Sequence, residues 1–178
     1  LADVIAGRYN EFNTELVDIN NLRKHKLKLG FSKMHSGGND YIFFNNFEGK
    51  ITCPESLAIN FSDRHYAIGA DGVVMIEKSD KADAKVRIFN SDGSESGLAA
   101  NPIRCVAKYL FDNRLASEQL TIESCCGVKK LAVNSFNGKA SSVSMDLGVP
   151  KFETNKKLML CGKEYDATVV NIGNSHCV

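Results

Sequence analysis

Four turn-forming runs of this chain gather the side chains best suited to chemistry. They are His35-Ser36-Gly37-Gly38-Asn39-Asp40, the pair Asp63-Arg64-His65 and Ile68-Gly69-Ala70-Asp71-Gly72, Phe89-Asn90-Ser91-Asp92-Gly93-Ser94, and Asn171-Ile172-Gly173-Asn174-Ser175-His176. An asparagine amide carries both donors and acceptors, so it can meet the ammonium and the carboxylate of an amino acid. Asparagine and glycine also favour turns for backbone reasons, so each run alone has a purely local explanation. His35, His65 and His176 read first as ordinary hydrogen-bonding histidines.

A fifth feature is a helix start. Asn101 is a good cap residue, and Pro102 suits the first helical position because its missing N–H has no partner there anyway. A helix start offers free N–H groups and a partial positive charge, which together suit a carboxylate or phosphate. Ala99 and Ala100 lead into it and let a ligand approach the backbone. The same features also describe an ordinary capped helix.

Elements must hold these groups in place. The helix, about Pro102 to Asp112, carries Ile103, Cys105, Val106, Ala107, Tyr109, Leu110 and Phe111, apolar over most of its circumference. Such a helix is buried nearly all round. Around it the pattern reads as short strands: Phe31 to Met34, Tyr41 to Asn45, Gly72 to Glu77, Ala84 to Asn90, Leu120 to Ser124, Val128 to Val133, Ser141 to Leu147 and Asp166 to Asn171. Cys125-Cys126-Gly127 reverses one pair, and Asn137-Gly138 is a strong hairpin signal. A short helix is expected from Pro54 to Ser62, with Thr52 or Cys53 before it. A buried helix among antiparallel strands is an α+β arrangement. Residues 1–28 read as an N-terminal extension or linker with loosely helical apolar spacing, and residues 29–178 as one domain.

The bulk numbers exclude several classes. The chain has 178 residues and a net charge of +1, so charge draws it neither to nucleic acid nor to an anionic membrane. The basic run Arg23, Lys24, Lys26 and Lys28 reads as a solvated linker. No stretch approaches the ~18 apolar residues of a membrane span. Residues 1–28 lack the order of a signal peptide, so a cytoplasmic protein is expected. The six cysteines then read as thiols. They form no Cys-x-x-Cys pair, which argues against zinc. Cys105 falls inside the apolar helix as inert core, and Cys125-Cys126 in a hairpin turn.

Six ordered motifs carry a resemblance. They are Lys33-Met34-His35-Ser36-Gly37-Gly38-Asn39-Asp40-Tyr41, Ser62-Asp63-Arg64-His65, Ile68-Gly69-Ala70-Asp71-Gly72, Arg87-Ile88-Phe89-Asn90-Ser91-Asp92-Gly93-Ser94-Glu95, Asn101-Pro102-Ile103-Arg104-Cys105-Val106-Ala107-Lys108-Tyr109 and Gly173-Asn174-Ser175-His176-Cys177-Val178. Over Leu29 to Val178 the chain resembles the diaminopimelate epimerase family. The resemblance implies one half of a two-domain α+β fold, with a mostly antiparallel sheet wrapped around a buried central helix. It implies a cofactor-independent isomerase, working without pyridoxal phosphate, that interconverts LL- and meso-2,6-diaminoheptanedioate for lysine and peptidoglycan precursor synthesis. Two cysteines, one per domain, then flank the substrate Cα as base and acid. Carbanion stabilisation falls to hydrogen bonds and helix starts.

Residue by residue, the resemblance implies substrate contacts at Asn39, Asn90 and Asn174, a carboxylate cradle at Ala100 and Asn101, a position near the substrate at Gly72, and a thiol-tuning role for His176. Arg104 and Lys108 look structural. Ala99 stands where the family carries its first catalytic cysteine. Alanine has no ionisable atom, and the second domain would follow Val178, so the chain as given is expected to be inactive. The alternatives are a non-catalytic amino-acid-binding relative, or an epimerase or racemase of another amino acid. The expected partners are a small amino-acid substrate and, through an exposed inter-domain face, a second copy in a homodimer.

Overall fold

The computed structural model describes residues 14–16, 27–97, 99–172 and 175–178. Its centre is a seven-stranded sheet in which the strands follow one another in sequence order. These are β3 (Ser32–Ser36), β4 (Asn39–Asn45), β5 (Gly72–Glu77), β6 (Ala84–Asn90), β7 (Gln119–Ser124), β8 (Gly127–Phe136) and β9 (Lys139–Met145). The β4–β5 and β6–β7 pairs are parallel and the other four are antiparallel. A parallel pair needs a crossover connection. Helix α1 (Pro54–Phe61) supplies the first crossover and α2 (Ala100–Asp112) the second. The mostly antiparallel α+β fold expected from the sequence is present.

The two helices cover opposite faces of this sheet. In β5, Val73 and Met75 pack with α1 residues Leu57 and Ala58, while Val74 and Ile76 pack with α2 residues Ile103, Val106 and Leu110. A strand buried on both faces needs no polar alternation, which explains the continuous run Val73-Val74-Met75-Ile76. Each such side chain contributes about 1.5–3 kcal/mol on burial. The sheet curls so that β3, β4, β7, β8 and β9 all contact α2. The central helix is wrapped, as expected.

One buried ion pair ties the helix to the sheet edge. Lys108 Nζ lies 2.9 Å from Asp112 Oδ2 and also donates to the Ala140 carbonyl at 2.8 Å. Asp112 Oδ1 accepts from the Ala140 amide at 2.8 Å. The structural reading of Lys108 is met.

Several boundaries differ from the sequence reading. Helix α2 begins at Ala100 and its cap is Ala99, in extended conformation, with no side-chain cap bond. Asn101 is therefore not the cap, and Pro102 is third in the helix. The side-chain amide of Asn101 bonds Asn39 instead, and proline is tolerated throughout the first turn. Helix α1 ends at Phe61, with Ser62 as its C-cap and Cys53 as its N-cap.

The helical spacing read across residues 1–28 is not followed where the backbone is described. There β1 (Thr14–Leu16) pairs antiparallel with β2 (Leu27–Leu29). A further strand, β10 (Lys151–Leu160), forms a hairpin with β11 (Lys163–Asn171) through Cys161 and Gly162, both at positive φ. The segment read as a loop after Asn171 includes β12 (Ser175–Cys177), paired with β11. Charged residues such as Glu153, Lys156 and Lys157 break the apolar alternation by which β10 would be recognised, because most of this three-stranded sheet faces solvent.

Candidate active site

The path into α2 fixes the site. After β6 the chain turns at Asn90–Ser94, where the Asn90 amide donates to the Ser94 carbonyl at 2.9 Å and Asn90 Nδ2 to Ser94 Oγ at 3.0 Å. It then doubles back along β6. Glu95 bridges to Phe89, and its carboxylate takes two bonds from Arg87, at 2.9 and 2.7 Å. Helix α2 begins a few residues later, at Ala100.

In an α-helix the N–H groups of the cap and first three residues have no intrahelical partner. Here the third is Pro102, which has no N–H. The amides of Ala99, Ala100 and Asn101 are the ones left without an intrahelical partner. With alanine at 99 and 100, no side chain beyond Cβ screens them.

These residues open onto a cavity of about 300 Å³ lined by Asn39, Tyr41, Ala99, Ala100, Asn101, Pro102, Leu147, Ile172 and His176. That volume suits a small molecule. The structure thus brings together Asn39, Ala99, Ala100, Asn101 and His176, which the sequence nominated from three distant segments. Tyr41, Leu147 and Ile172 were not nominated. Tyr41 carried a usable signal, since it lies two residues from Asn39 on one strand and so shares its face. Burial, and next the charge of Asp71, push the Tyr41 hydroxyl up, so it keeps its proton and presents a donor.

The two asparagines are held by a chain of polar bonds. Arg104 Nη2 donates to Asn101 Oδ1 and, at 3.1 Å, to Ser36 Oγ. Asn101 Nδ2 donates to Asn39 Oδ1 at 2.9 Å, and Asn39 Nδ2 to Asp71 Oδ2 at 3.0 Å. Arg64 then bonds Asp71 at 2.8 Å and Asp40 at 2.6 Å, while Lys33 lies 3.2 Å from Asp40. The guanidinium of Arg64, ahead of Lys33, holds the Asp40 carboxyl below the usual carboxylate range. Gly37 sits at φ 60°, and a Cβ there would meet Asn101 Nδ2 at 3.0 Å, so glycine lets the β3–β4 turn close on the asparagine.

Gly72 and Asn90 do not line this cavity. Strand register nevertheless aligns Tyr41, Gly72 and Asn90 across β4, β5 and β6, on the sheet face that carries α2. At Gly72 an added Cβ would stand 2.1 Å from the Phe89 carbonyl oxygen. Glycine is required there by packing. Asn174 lies outside the described residues.

Cys105 is fully buried in α2, and desolvation pushes its thiol up to about 12. It cannot replace a thiol at the helix start, because a thiolate and not a thiol is the reactive form.

Known proteins resemble this chain in sequence and, separately, in fold. The family profile described as diaminopimelate epimerase matches residues 31–153. The diaminopimelate epimerase of Acetivibrio thermocellus is 41% identical over 162 residues, covering 83% of this chain and 58% of its own. That of Bacteroides thetaiotaomicron is 40% identical over 152 residues, covering 85% of this chain and 57% of its own. The chain belongs to the diaminopimelate epimerase family. It spans somewhat over half the length of these relatives. Among solved structures, a hydroxyproline epimerase from Agrobacterium vitis, with bound trans-4-hydroxy-L-proline, is similar with TM-score 0.63 at 16% identity, over 83% of this chain and 50% of that one. A probable proline racemase from Agrobacterium radiobacter, with bound carbonate, gives TM-score 0.66 at 14% identity, over 83% and 50%. At these identities the likeness is one of fold. Diaminopimelate epimerases are isomerases.

Proposed function

We propose that this chain forms the carboxylate-binding half of a diaminopimelate epimerase site and that, with Ala99 at the helix start, it does not itself take the substrate Cα proton. The observation that carries the reading is the cavity at the start of α2, lined by Ala99, Ala100 and Asn101 together with Asn39 and His176. A substrate carboxylate seated on the helix-start amides lies at the positive end of the helix. As a Cα proton leaves, negative charge spreads onto that carboxylate, and fixed donors stabilise it without reorganising.

The substrate is LL- or meso-2,6-diaminoheptanedioate, and the parent activity is its cofactor-independent epimerisation in lysine and peptidoglycan precursor synthesis. The Asn39 and Asn101 amides orient the amino-acid group; Gly72 and Asn90, in register with Tyr41 but outside the cavity wall, and Asn174 are the further contacts a bound substrate would reach. His176 stands where it would tune a thiol. Position 99 is where the proton-transferring cysteine would stand, and the opposing thiol would come from a second domain. Free cysteines throughout are in keeping with a reducing, cytoplasmic setting.

The test is to incubate the chain with LL-2,6-diaminoheptanedioate in heavy water and follow the substrate by NMR. Saturable broadening of substrate resonances without deuterium at Cα is the expected result. Cα deuteration at a rate typical of an active epimerase would overturn the reading.

A further inference from the structure

The β7–β8 hairpin turns through Ser124-Cys125-Cys126-Gly127, with Ser124 paired to Gly127 and Gly127 at φ 91°. Neither cysteine has positive φ. This is a two-residue tip followed by a glycine at positive φ, with the strand register running unbroken up to it. The tip is pinned from within. Ser124 Oγ donates to the Gly127 carbonyl at 3.0 Å and accepts from the Cys126 amide at 3.3 Å.

The two Sγ atoms lie 3.8 Å apart, and both residues are exposed. Among the described residues this is the one pair of thiols in contact. Cys126 also lines a cleft of about 340 Å³ with Lys129, Lys151, Glu153, Leu147 and Ile172 among its walls. Leu147 and Ile172 line the candidate active site as well, so the two cavities share a wall.

We propose that Cys125 and Cys126 form a dithiol site for a trivalent, pyramidal thiophile, with arsenite or an organic arsenical as the ligand class. A structural zinc site asks for four ligands. No group of three His, Cys, Asp or Glu able to hold a metal occurs among the described residues. A linear two-coordinate ion holds its sulfurs far apart on opposite sides. A pyramidal centre brings them close on one side, which matches thiols already in contact, and its third bond is completed by its own substituent.

The step with an arylarsenoxide balances without redox change. Two As–S bonds form, the As–O double bond breaks, and its oxygen leaves as water carrying both thiol protons. Arsenic remains trivalent. The second As–S bond closes within one molecule, so the pair holds the ligand against monothiol competition.

The experiment uses the full chain, reduced and freed of reductant, and titrated with phenylarsine oxide while intact mass and free thiols are followed. One phenylarsenic per chain, with loss of two thiols, is expected to persist in excess 2-mercaptoethanol and to be reversed by a dithiol. Replacing Cys125→Ser or Cys126→Ser should weaken retention about 100-fold, the scale of an intramolecular second bond. Replacing Cys53, Cys161 and Cys177 together by serine should leave it unchanged. Retention undiminished in the Cys125→Ser/Cys126→Ser double variant, or no retention in the parent chain, would overturn the proposal. The turn is exposed, so circular dichroism and melting of the variants should match the parent and separate ligand loss from misfolding.

Discussion

Asn101 in the first turn of α2 donates to Asn39 at the start of β4, Nδ2 to Oδ1, at 2.9 Å. This bond joins two residues far apart in sequence and makes one polar surface of the helix start and the sheet. Replacing Asn101→Ala removes the donor to Asn39 Oδ1 and one acceptor of Arg104. It should cost about 1 kcal/mol of stability, the usual net worth of an intramolecular hydrogen bond. Denaturant unfolding of Asn101→Ala, Asn39→Ala and the double variant should show non-additive losses. Strict additivity would mean the two amides act independently.

Gly72 tests the close contact of β5 and β6. A methyl group added there would fall 2.1 Å from the Phe89 carbonyl oxygen, in the middle of the sheet. Gly72→Ala should lower stability by about 3 kcal/mol, the upper end of overpacking costs. A urea midpoint close to that of the parent chain would show that the strands separate easily there.

Lys108 and Asp112 are nearly solvent-free, with side chains 5% and 8% exposed. Lys108→Met leaves a buried carboxylate without its cation and should destabilise by about 3–5 kcal/mol. Adding Asp112→Leu should recover much of that loss, because the uncompensated charge is then gone. Melting of the single and double variants decides between this and a merely superficial pair.

Asp40 gives a pH signature. Its folded carboxyl titrates below the ordinary value of 3.8, chiefly through Arg64. A depressed carboxyl contributes stability above its unfolded pKa, and loses it as pH falls through the folded pKa. An NMR titration should place the Asp40 midpoint below 3.8, and Arg64→Leu should raise it. No change on Arg64→Leu would assign the shift elsewhere.

Much of the fold could be read from the chain because local chemistry agreed with it. Asn137 and Gly138 both adopt positive φ in the β8–β9 turn, as the dipeptide signals. Strands β5 and β6 fall at Gly72–Glu77 and Ala84–Asn90, the boundaries that the valine- and isoleucine-rich runs mark. The start of α2 was misplaced because Asn101 was weighed as a cap. Its amide is taken by Arg104 and Asn39, a tertiary choice invisible to local propensity. Strand β10 was missed because solvent-facing strands lose the alternation by which strands are recognised, and the cavity residues Leu147 and Ile172 because they lie in irregular backbone just past the ends of β9 and β11. Ala99, Ala100 and Asn39 were legible because glycine, asparagine and a helix start converge there in ordered motifs.

The proposed site seats an amino-acid carboxylate on the amides at the start of α2. Titration of the isotope-labelled chain with LL-2,6-diaminoheptanedioate, read by amide proton and nitrogen shifts, tests it directly. Saturating shifts concentrated at Ala99, Ala100 and Asn101, with the Asn39 side-chain amide moving in step, are expected. Saturating shifts elsewhere with those three amides unmoved, or no response at all, would contradict it.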